Sequence, residues 1–271
     1  MRKRALSAGL SLLLLLFMCA GSGYGQILGG NGKSFAANGA KGAELVVDAR
    51  VALASLTTIG DGHLVKIADE FKLLATRDEV ISADWDRIKA LLTQVAEQNV
   101  PGMMWFAQPS GDYKTVEHDG VEGNLKSRPY FTRALAGKTV IGDLVVSKST
   151  GKNVAVVAVP VLKDKDVVGV LGCSVYLDKL SEQVKEEMAL PSNVIFYSFD
   201  SRPLMALDWD TRLILRDPGE LGPEVDKAFK EMLKKDQGTV SYTFRGKPRT
   251  VVFKKSPVTD WWYAVGVVQG E

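Results

Sequence analysis

Within this 271-residue sequence, Arg128-Pro129-Tyr130-Phe131 is the segment best equipped for recognition chemistry. Pro129 disfavours helical backbone at the residue before it, so Arg128 is expected in extended geometry at a loop–helix junction, facing inward. A guanidinium matches a carboxylate bidentately, a charge-assisted contact that contributes about 1.5–3 kcal/mol. Tyr130 can wall a pocket and offer its hydroxyl, with Phe131 beside it. The same residues also suit a plainer role, with Arg128 in a structural ion pair and both aromatics in the core. Ser147-Lys148-Ser149-Thr150-Gly151-Lys152 concentrates hydroxyls and two cations at a strand end. Its second half reads as a solvated hairpin turn, whereas Lys148, directly after Val145-Val146, fits a pocket rim. Asp143 and Trp105 are the remaining candidates on chemistry alone, and Trp105 equally suits the core.

Catalytic patterns are missing. Gly137-Lys138-Thr139 has the end of a phosphate-binding loop, but the position of its first glycine is Thr132. Asp208-Trp209-Asp210-Thr211 has the spacing of a phosphatase aspartate pair, but Arg212 stands where a small or β-branched residue is needed, and a turn between Leu207 and Leu213 is the better reading. A closed zinc site cannot be made from His63, His118 and one cysteine of the mature chain. Neither histidine lies beside a Gly-x-Ser-x-Gly elbow. The sequence therefore points away from an enzyme, and it calls for no cofactor or metal.

The N-terminus sets the expected compartment. Arg2, Lys3 and Arg4 precede an apolar stretch from Leu10 to Met18, and small residues follow at Ala20, Gly21, Ser22, Gly23 and Gly25. This is the three-part layout of a secretory signal peptide, expected to occupy residues 1–25, with a retained signal anchor as the alternative. The apolar stretch is shorter than the ~20 residues a bilayer span needs. The formal charge is +2; loss of the three basic residues leaves the mature chain near neutral, with no basic stripe to suggest nucleic acid. Cys19 leaves with the signal, so Cys173 is expected as a lone, reduced core thiol.

The elements that must hold these residues follow in order. Residues 26–42 are rich in Gly, Asn and Ala and read as a flexible lead-in. From residue 43 to 100 the spacing is helical: Leu45, Ala49, Ala52, Leu53, Leu56 and Ile59 share a face, Gly60-Asp61-Gly62 weakens or interrupts it, and Leu64, Ile67, Ala68, Phe71 and Leu74 resume it. A second helix is predicted with Ser82 as N-cap and Trp85, Ile88, Leu92 and Val95 inward. Strands then dominate residues 101–178, with Lys163-Asp164-Lys165-Asp166 as a hairpin. A connecting helix is expected within 179–193, and a second strand-rich block over 194–271. The two blocks repeat at an offset of 97: Val154 with Val251, Val168 with Val265, Pro160-Val161 with Pro257-Val258. The helix–strand order repeats as well, which favours a structural duplication and an α+β fold.

Several segments in this order resemble a known family. They are Trp105-Phe106-Ala107-Gln108-Pro109-Ser110-Gly111-Asp112-Tyr113, Ser127-Arg128-Pro129-Tyr130-Phe131, Val145 to Lys152, Val157-Ala158-Val159-Pro160-Val161 and Gly169-Val170-Leu171-Gly172. Together they look like a Cache domain. Gly238 to Phe244 and Trp262-Tyr263 resemble the membrane-proximal half of a double Cache (dCache) module. The resemblance covers roughly residues 43–268. It implies a long N-terminal helix backing two PAS-like antiparallel-sheet modules, with a small-molecule pocket in the distal one, residues 101–178. Amino-acid-binding members resemble one another through a tyrosine upstream of the arginine and an aspartate on the last strand. Here Gly123 and Ser174 stand at those places. The resemblance thus implies a ligand other than an α-amino acid, and with Arg128 and Lys148 both cationic a small carboxylate or other anion is expected, with Ser174 in the shell.

Such domains usually sit between two membrane spans of a receptor or kinase. No second hydrophobic span follows in this sequence, so the expectation is a stand-alone binding protein, periplasmic or extracellular, acting in signal transduction such as chemotaxis. It would signal through a membrane receptor or kinase, or simply bind and present its ligand. The alternative is a ligand-independent interaction module that docks on a membrane receptor.

Overall fold

The computed structural model describes residues 34–37, 45–118 and 121–269. The expected signal peptide, with Cys19, and most of the lead-in lie outside the described residues. Within the lead-in, β1 (Ser34–Ala37) pairs antiparallel with β2 (Leu45–Asp48). The helical pattern expected from residue 43 therefore begins later. Asp48, in extended backbone geometry, accepts from the Arg50 N–H at 2.7 Å and starts α1 (Ala49–Leu74).

Helix α1 runs without a break through Gly60-Asp61-Gly62. Gly60 is buried against the Tyr263 ring, where a Cβ would come within 2.8 Å of a ring carbon. Asp61 is buried too, and accepts from Ser256 Oγ (2.5 Å), Thr259 Oγ1 (3.0 Å) and the Tyr263 hydroxyl (2.8 Å). The tripeptide that reads locally as a helix breaker is thus a docking point, stabilised by partners about two hundred residues away. Next come a short α2 (Asp78–Ile81) and α3 (Trp85–Glu97). Asp84, not Ser82, caps α3; Ser82 closes α2, its hydroxyl donating back to the Glu79 carbonyl. Ala83 between them has φ 56°, a left-handed step that separates the two helices.

Six strands form the first sheet: β3 (Gly102–Ala107), β4 (Asp112–Thr115), β5 (Val121–Asn124), β6 (Val140–Val146), β7 (Asn153–Lys163) and β8 (Asp166–Tyr176), in the order β5-β4-β3-β8-β7-β6. Helix α4 (Pro129–Leu135) lies between β5 and β6, and α5 (Leu177–Met188) leads to the second sheet. That sheet holds β9 (Val194–Phe199), β10 (Met205–Asp208), β11 (Gln237–Phe244), β12 (Lys247–Lys255) and β13 (Trp262–Val268), in the order β10-β9-β13-β12-β11, with α6 (Pro223–Met232) between β10 and β11. All described pairings are antiparallel. The two orders superimpose: β4-β3-β8-β7-β6 in one module matches β10-β9-β13-β12-β11 in the other, and the sequence offset of 97 carries β7 onto β12 and β8 onto β13.

The central strands of each sheet (β3, β7 and β8; β9 and β13) are covered on both faces, which explains their nearly continuous apolar character. Ala155, Val157, Val159 and Val161 of β7 and Leu171, Cys173 and Val175 of β8 turn toward α1, in a core that also takes Phe196, Tyr263 and Val265 of the second sheet and Trp261 of the loop before β13. Cys173 is free and fully buried there, and burial pushes its thiol far above the ordinary range. The opposite face of the first sheet packs on α4 through Met103, Trp105, Tyr113, Val154 and Val156, and that of the second on α6 through Tyr197, Phe199 and Phe253. One difference separates the repeats. β7 and β8 are joined by Asp164-Lys165 alone, whereas β12 and β13 are joined by residues 256–261, the loop that reaches Asp61.

Candidate functional site

Between the α4 face of the first sheet and the segment from β5 to α4 lies a narrow cavity of about 10 Å³, water-sized. Its floor is Trp105 on β3. The ring lies flat across Gly172 of β8, its register partner, where a Cβ would overlap the indole at 2.1 Å. Its Nε1 donates to Ser174 Oγ at 3.2 Å. Tyr113 meets the indole edge-on with centroids 6.3 Å apart, and Tyr130 meets it tilted at 6.4 Å.

Arg128 is the N-cap of α4, with φ −87° and ψ 125°, and Pro129 is the first helical residue. The proline thus sets the extended geometry expected of it. The guanidinium reaches across to β6, where Nη2 donates to the Val146 carbonyl at 2.8 Å; its Nε is buried with no acceptor. Tyr130, one residue into the helix, turns inward, and burial raises its hydroxyl above the ordinary range although the nearby Arg128 charge pulls the other way. From the other side, Lys148 Nζ donates to the Asn124 carbonyl (2.9 Å) and Ser127 Oγ (3.2 Å). Two cations therefore lace the segment from β5 to α4 to the end of β6 in opposite directions. Each is spent on neutral oxygens, which a stronger acceptor can replace. No acidic side chain lines the cavity among the described residues.

Of the residues singled out in the sequence, Arg128, Tyr130, Lys148, Trp105 and Ser174 converge on this cavity. Phe131 does not line it; the next residue along the helix points elsewhere, and it sits fully buried in the core under α4. Asp143 on β6 pairs with Arg133 of α4 in a separate groove of about 560 Å³ between the two modules. Sequence reasoning passed over Met103, Tyr113, Leu125, Val145, Ser147 and Ser149 as lining residues. Ser147 and Ser149 lay inside a motif already noted for its hydroxyls. Their oxygens stand 3.3 Å apart, and Ser149 Oγ donates to the Met103 sulfur at 3.3 Å. Thr150-Gly151-Lys152 completes the turn, closed by Gly151 N–H to the Ser147 carbonyl at 3.0 Å. Among the described residues no group of His, Cys, Asp and Glu is placed to hold a metal ion, and no helix is long and apolar enough to cross a membrane.

The matching face of the second module carries Tyr197, Tyr242, Asp208 and Arg249. Its two phenols are 3.2 Å apart, and Arg249 Nε, like that of Arg128, is buried without an acceptor. Burial lifts the Asp208 carboxyl to about 7, partly opposed by the N–H of Asp210 and the charge of Arg249.

A family model for the Cache domain (dCache_1) matches residues 43–271. A search of curated proteins finds no match. Among solved structures, the chain is similar to the ligand-binding domain of the Pseudomonas aeruginosa amino acid chemoreceptor PctB in complex with L-Arg. The TM-score is 0.61 at 16% identity, over 82% of this chain and 92% of that one. It is equally similar to the ligand-binding domain of the Pseudomonas fluorescens chemoreceptor CtaA in complex with L-serine (TM-score 0.62, 16% identity, 82% and 95% covered). The P. aeruginosa PctC domain in complex with GABA matches at 0.59, with 16% identity over 81% and 95% of the two chains. At these identities the likeness is one of fold.

Proposed function

Because this chain belongs to the Cache domain family, we propose that it is an extracytoplasmic sensor domain whose distal module, in residues 101–178, reversibly binds a small anionic metabolite such as a carboxylate. One observation carries this reading. The cavity is lined by Arg128, Lys148, three serines and the Tyr and Trp hydrogen-bonding groups, and by no acid among the described residues. A cation-rich, acid-free lining favours an anion and offers an ammonium group no counter-charge. The similar chemoreceptor domains hold L-Arg, L-serine and GABA, all of which carry a carboxylate and an amine. The reading here keeps the carboxylate and drops the amine, since Ser174 is a neutral hydroxyl on the cavity floor.

In use, the ligand's anionic group joins the Val146 carbonyl on Arg128 and displaces the Asn124 carbonyl from Lys148, and Tyr130, Trp105 and Ser174 close around the rest. The cavity is water-sized, so a larger ligand is accommodated when the segment from Asn124 to Arg128 swings away from β6. The signal-peptide pattern at the N-terminus supports export, and a membrane receptor or kinase is the proposed recipient of the signal.

Thermal-shift screening of the chain against matched panels of small carboxylates, hydroxycarboxylates and α-amino acids tests this, because a ligand of the native state raises the melting point by mass action. Carboxylates shifting the transition while the corresponding amino acids do not is the expected outcome. The reverse order overturns the anion reading, and no shift from any panel returns the protein to a module that docks without a ligand.

A further inference from the structure

Strand β6 is an edge of the first sheet, and its free side does not face water with bare carbonyls. Three alternate residues accept a side-chain donor there: Gly142 from Trp261 Nε1 at 2.9 Å, Leu144 from Arg202 Nη2 at 2.9 Å, and Val146 from Arg128 Nη2 at 2.8 Å. Capping an edge in this way blocks strand addition. The origin of the caps is more telling. Arg128 lines the distal cavity, whereas Arg202 follows β9 and Trp261 ends the β12–β13 loop, so both belong to the proximal module.

The line continues past Trp261. Its backbone N–H donates to Thr259 Oγ1 at 3.4 Å, and Thr259 donates to Asp61 in the middle of α1 at 3.0 Å. Gly142 is what seats this loop on the strand. It is the bulge residue of β6, with φ +90°, and a Cβ there would press on the Thr259 side chain at 3.1 Å and the Trp261 ring at 3.3 Å. A bulge is also the point at which an edge strand has room to shift register.

We propose that the capped edge of β6 is the relay by which occupancy of the distal cavity reaches the proximal module and α1, with Arg128 shared between the ligand and the Val146 carbonyl. This rests on the reading that Arg128 grips the ligand's anion. A carboxylate held side-on engages Nε and Nη2 together. Nε is the buried atom without an acceptor, and Nη2 is the atom that caps Val146. Gripping the anion therefore loads the same Nη2 that caps Val146, one of its two N–H groups turning to the ligand and the other staying on the carbonyl. The strand end at Val146 then re-seats, and the next two contacts down the same edge are those of Arg202 and Trp261. By linkage the coupling runs both ways: loosening Trp261 changes how tightly Arg128 is held.

The test needs no ligand. Hydrogen–deuterium exchange is measured by mass spectrometry on the full chain carrying Arg128→Ala, Lys148→Ala or Trp261→Phe, each first checked for a cooperative thermal transition. Lys148 lines the same cavity but caps no β6 carbonyl, so it separates the relay from the pocket. The relay predicts severalfold faster exchange at residues 256–261 and around Asp61 in Arg128→Ala, and none of this in Lys148→Ala. It also predicts that Trp261→Phe, which keeps a ring but removes the indole N–H, speeds exchange at residues 144–149. Where Arg128→Ala does not fold, Arg128→Gln replaces it. Unchanged exchange in the 256–261 loop when Arg128 is altered overturns the relay, as does an equal change in Lys148→Ala. Failure of every anion to bind would instead overturn the proposed ligand class while leaving the exchange result standing.

Discussion

Asp61, at the middle of α1, accepts a hydrogen bond from the hydroxyl of Tyr263 on β13 at 2.8 Å, in a setting where both side chains are buried. Ser256 and Thr259 complete the shell, so one carboxylate ties the long helix to the second sheet through three hydroxyls. Burial also pushes the Tyr263 hydroxyl well above its ordinary range, so it stays a donor at every physiological pH. Removing the carboxylate leaves three buried hydroxyls searching for acceptors. Asp61→Ala is expected to cost about 3–5 kcal/mol, and Asp61→Asn less, because its amide oxygen still accepts. Urea denaturation of the two variants checks both the size and the order.

Arg128→Ala should weaken the binding of a carboxylate by about 1.5–3 kcal/mol, roughly ten- to hundredfold, through loss of the charged partner. Arg128→Lys should not fully rescue it, since an ammonium cannot reproduce the two-pronged grip. Arg249→Ala, at the matching place in the second module, should leave affinity unchanged. Calorimetry on the three variants with the tightest carboxylate from the screen decides this, and full affinity in a folded Arg128→Ala would remove Arg128 from the site.

Asp208 gives the second module a pH signature. Its carboxyl is raised to about 7 in the folded chain, chiefly by burial, against the Asp210 N–H; the Asp210 charge adds to the rise, and Arg249 and Arg245 oppose it. Below the ordinary carboxylate range both folded and unfolded chains hold this proton, and the group's contribution to stability is complete. Between that range and about 7 the unfolded chain has released the proton and the folded chain has not, so stability falls as pH rises. Asp208→Asn keeps an acceptor for the Asp210 N–H, which Asp208 Oδ1 receives at 2.7 Å. It should flatten the slope and raise stability at pH 8, with roughly 4 kcal/mol as the ceiling. Melting curves from pH 4 to 8 provide the comparison.

Cys173 should be silent. It lies fully buried between β3 and β7 on the α1 side, with its thiol pushed far up by burial. A thiol kept protonated and enclosed is a poor nucleophile. A maleimide reagent should label it only at the rate of unfolding, and Cys173→Ser should leave carboxylate affinity within a few-fold. Rapid labelling of the native chain would contradict this.

What was legible in the sequence was whatever rests on local chemistry. The Arg128-Pro129 step set its own backbone, Lys163-Asp164-Lys165-Asp166 announced the hairpin that turns at Asp164-Lys165, and the 97-residue offset paired β7 with β12 and β8 with β13. What was not legible depends on distant partners. Gly60-Asp61-Gly62 is a poor helix segment by itself and becomes a good one only when Tyr263, Ser256 and Thr259 arrive. Phe131 was a candidate beside Tyr130 and Asp143 one on its chemistry alone, but a helix turns neighbours to different sides, and Asp143, next to the β6 bulge at Gly142, pairs with Arg133. The capped edge was invisible, because carbonyl groups carry no sequence signal.

Ser174 offers the most direct test of what the cavity selects. Its hydroxyl accepts from Trp105 Nε1 on the cavity floor, and Arg128 and Lys148 stand in the same lining without an acid to balance them. Ser174→Asp places a carboxylate there that can keep the indole as a donor, so the floor need not rearrange. It also adds a negative charge facing the ligand. A simple carboxylate should then lose about tenfold in affinity through like-charge repulsion, and an α-amino acid of the same skeleton should gain, since its ammonium acquires a counter-charge. Competition calorimetry with such a pair of ligands, differing only in the amine, measures the inversion directly. If Ser174→Asp leaves their order unchanged while the protein stays folded, the floor of this cavity does not face the ligand.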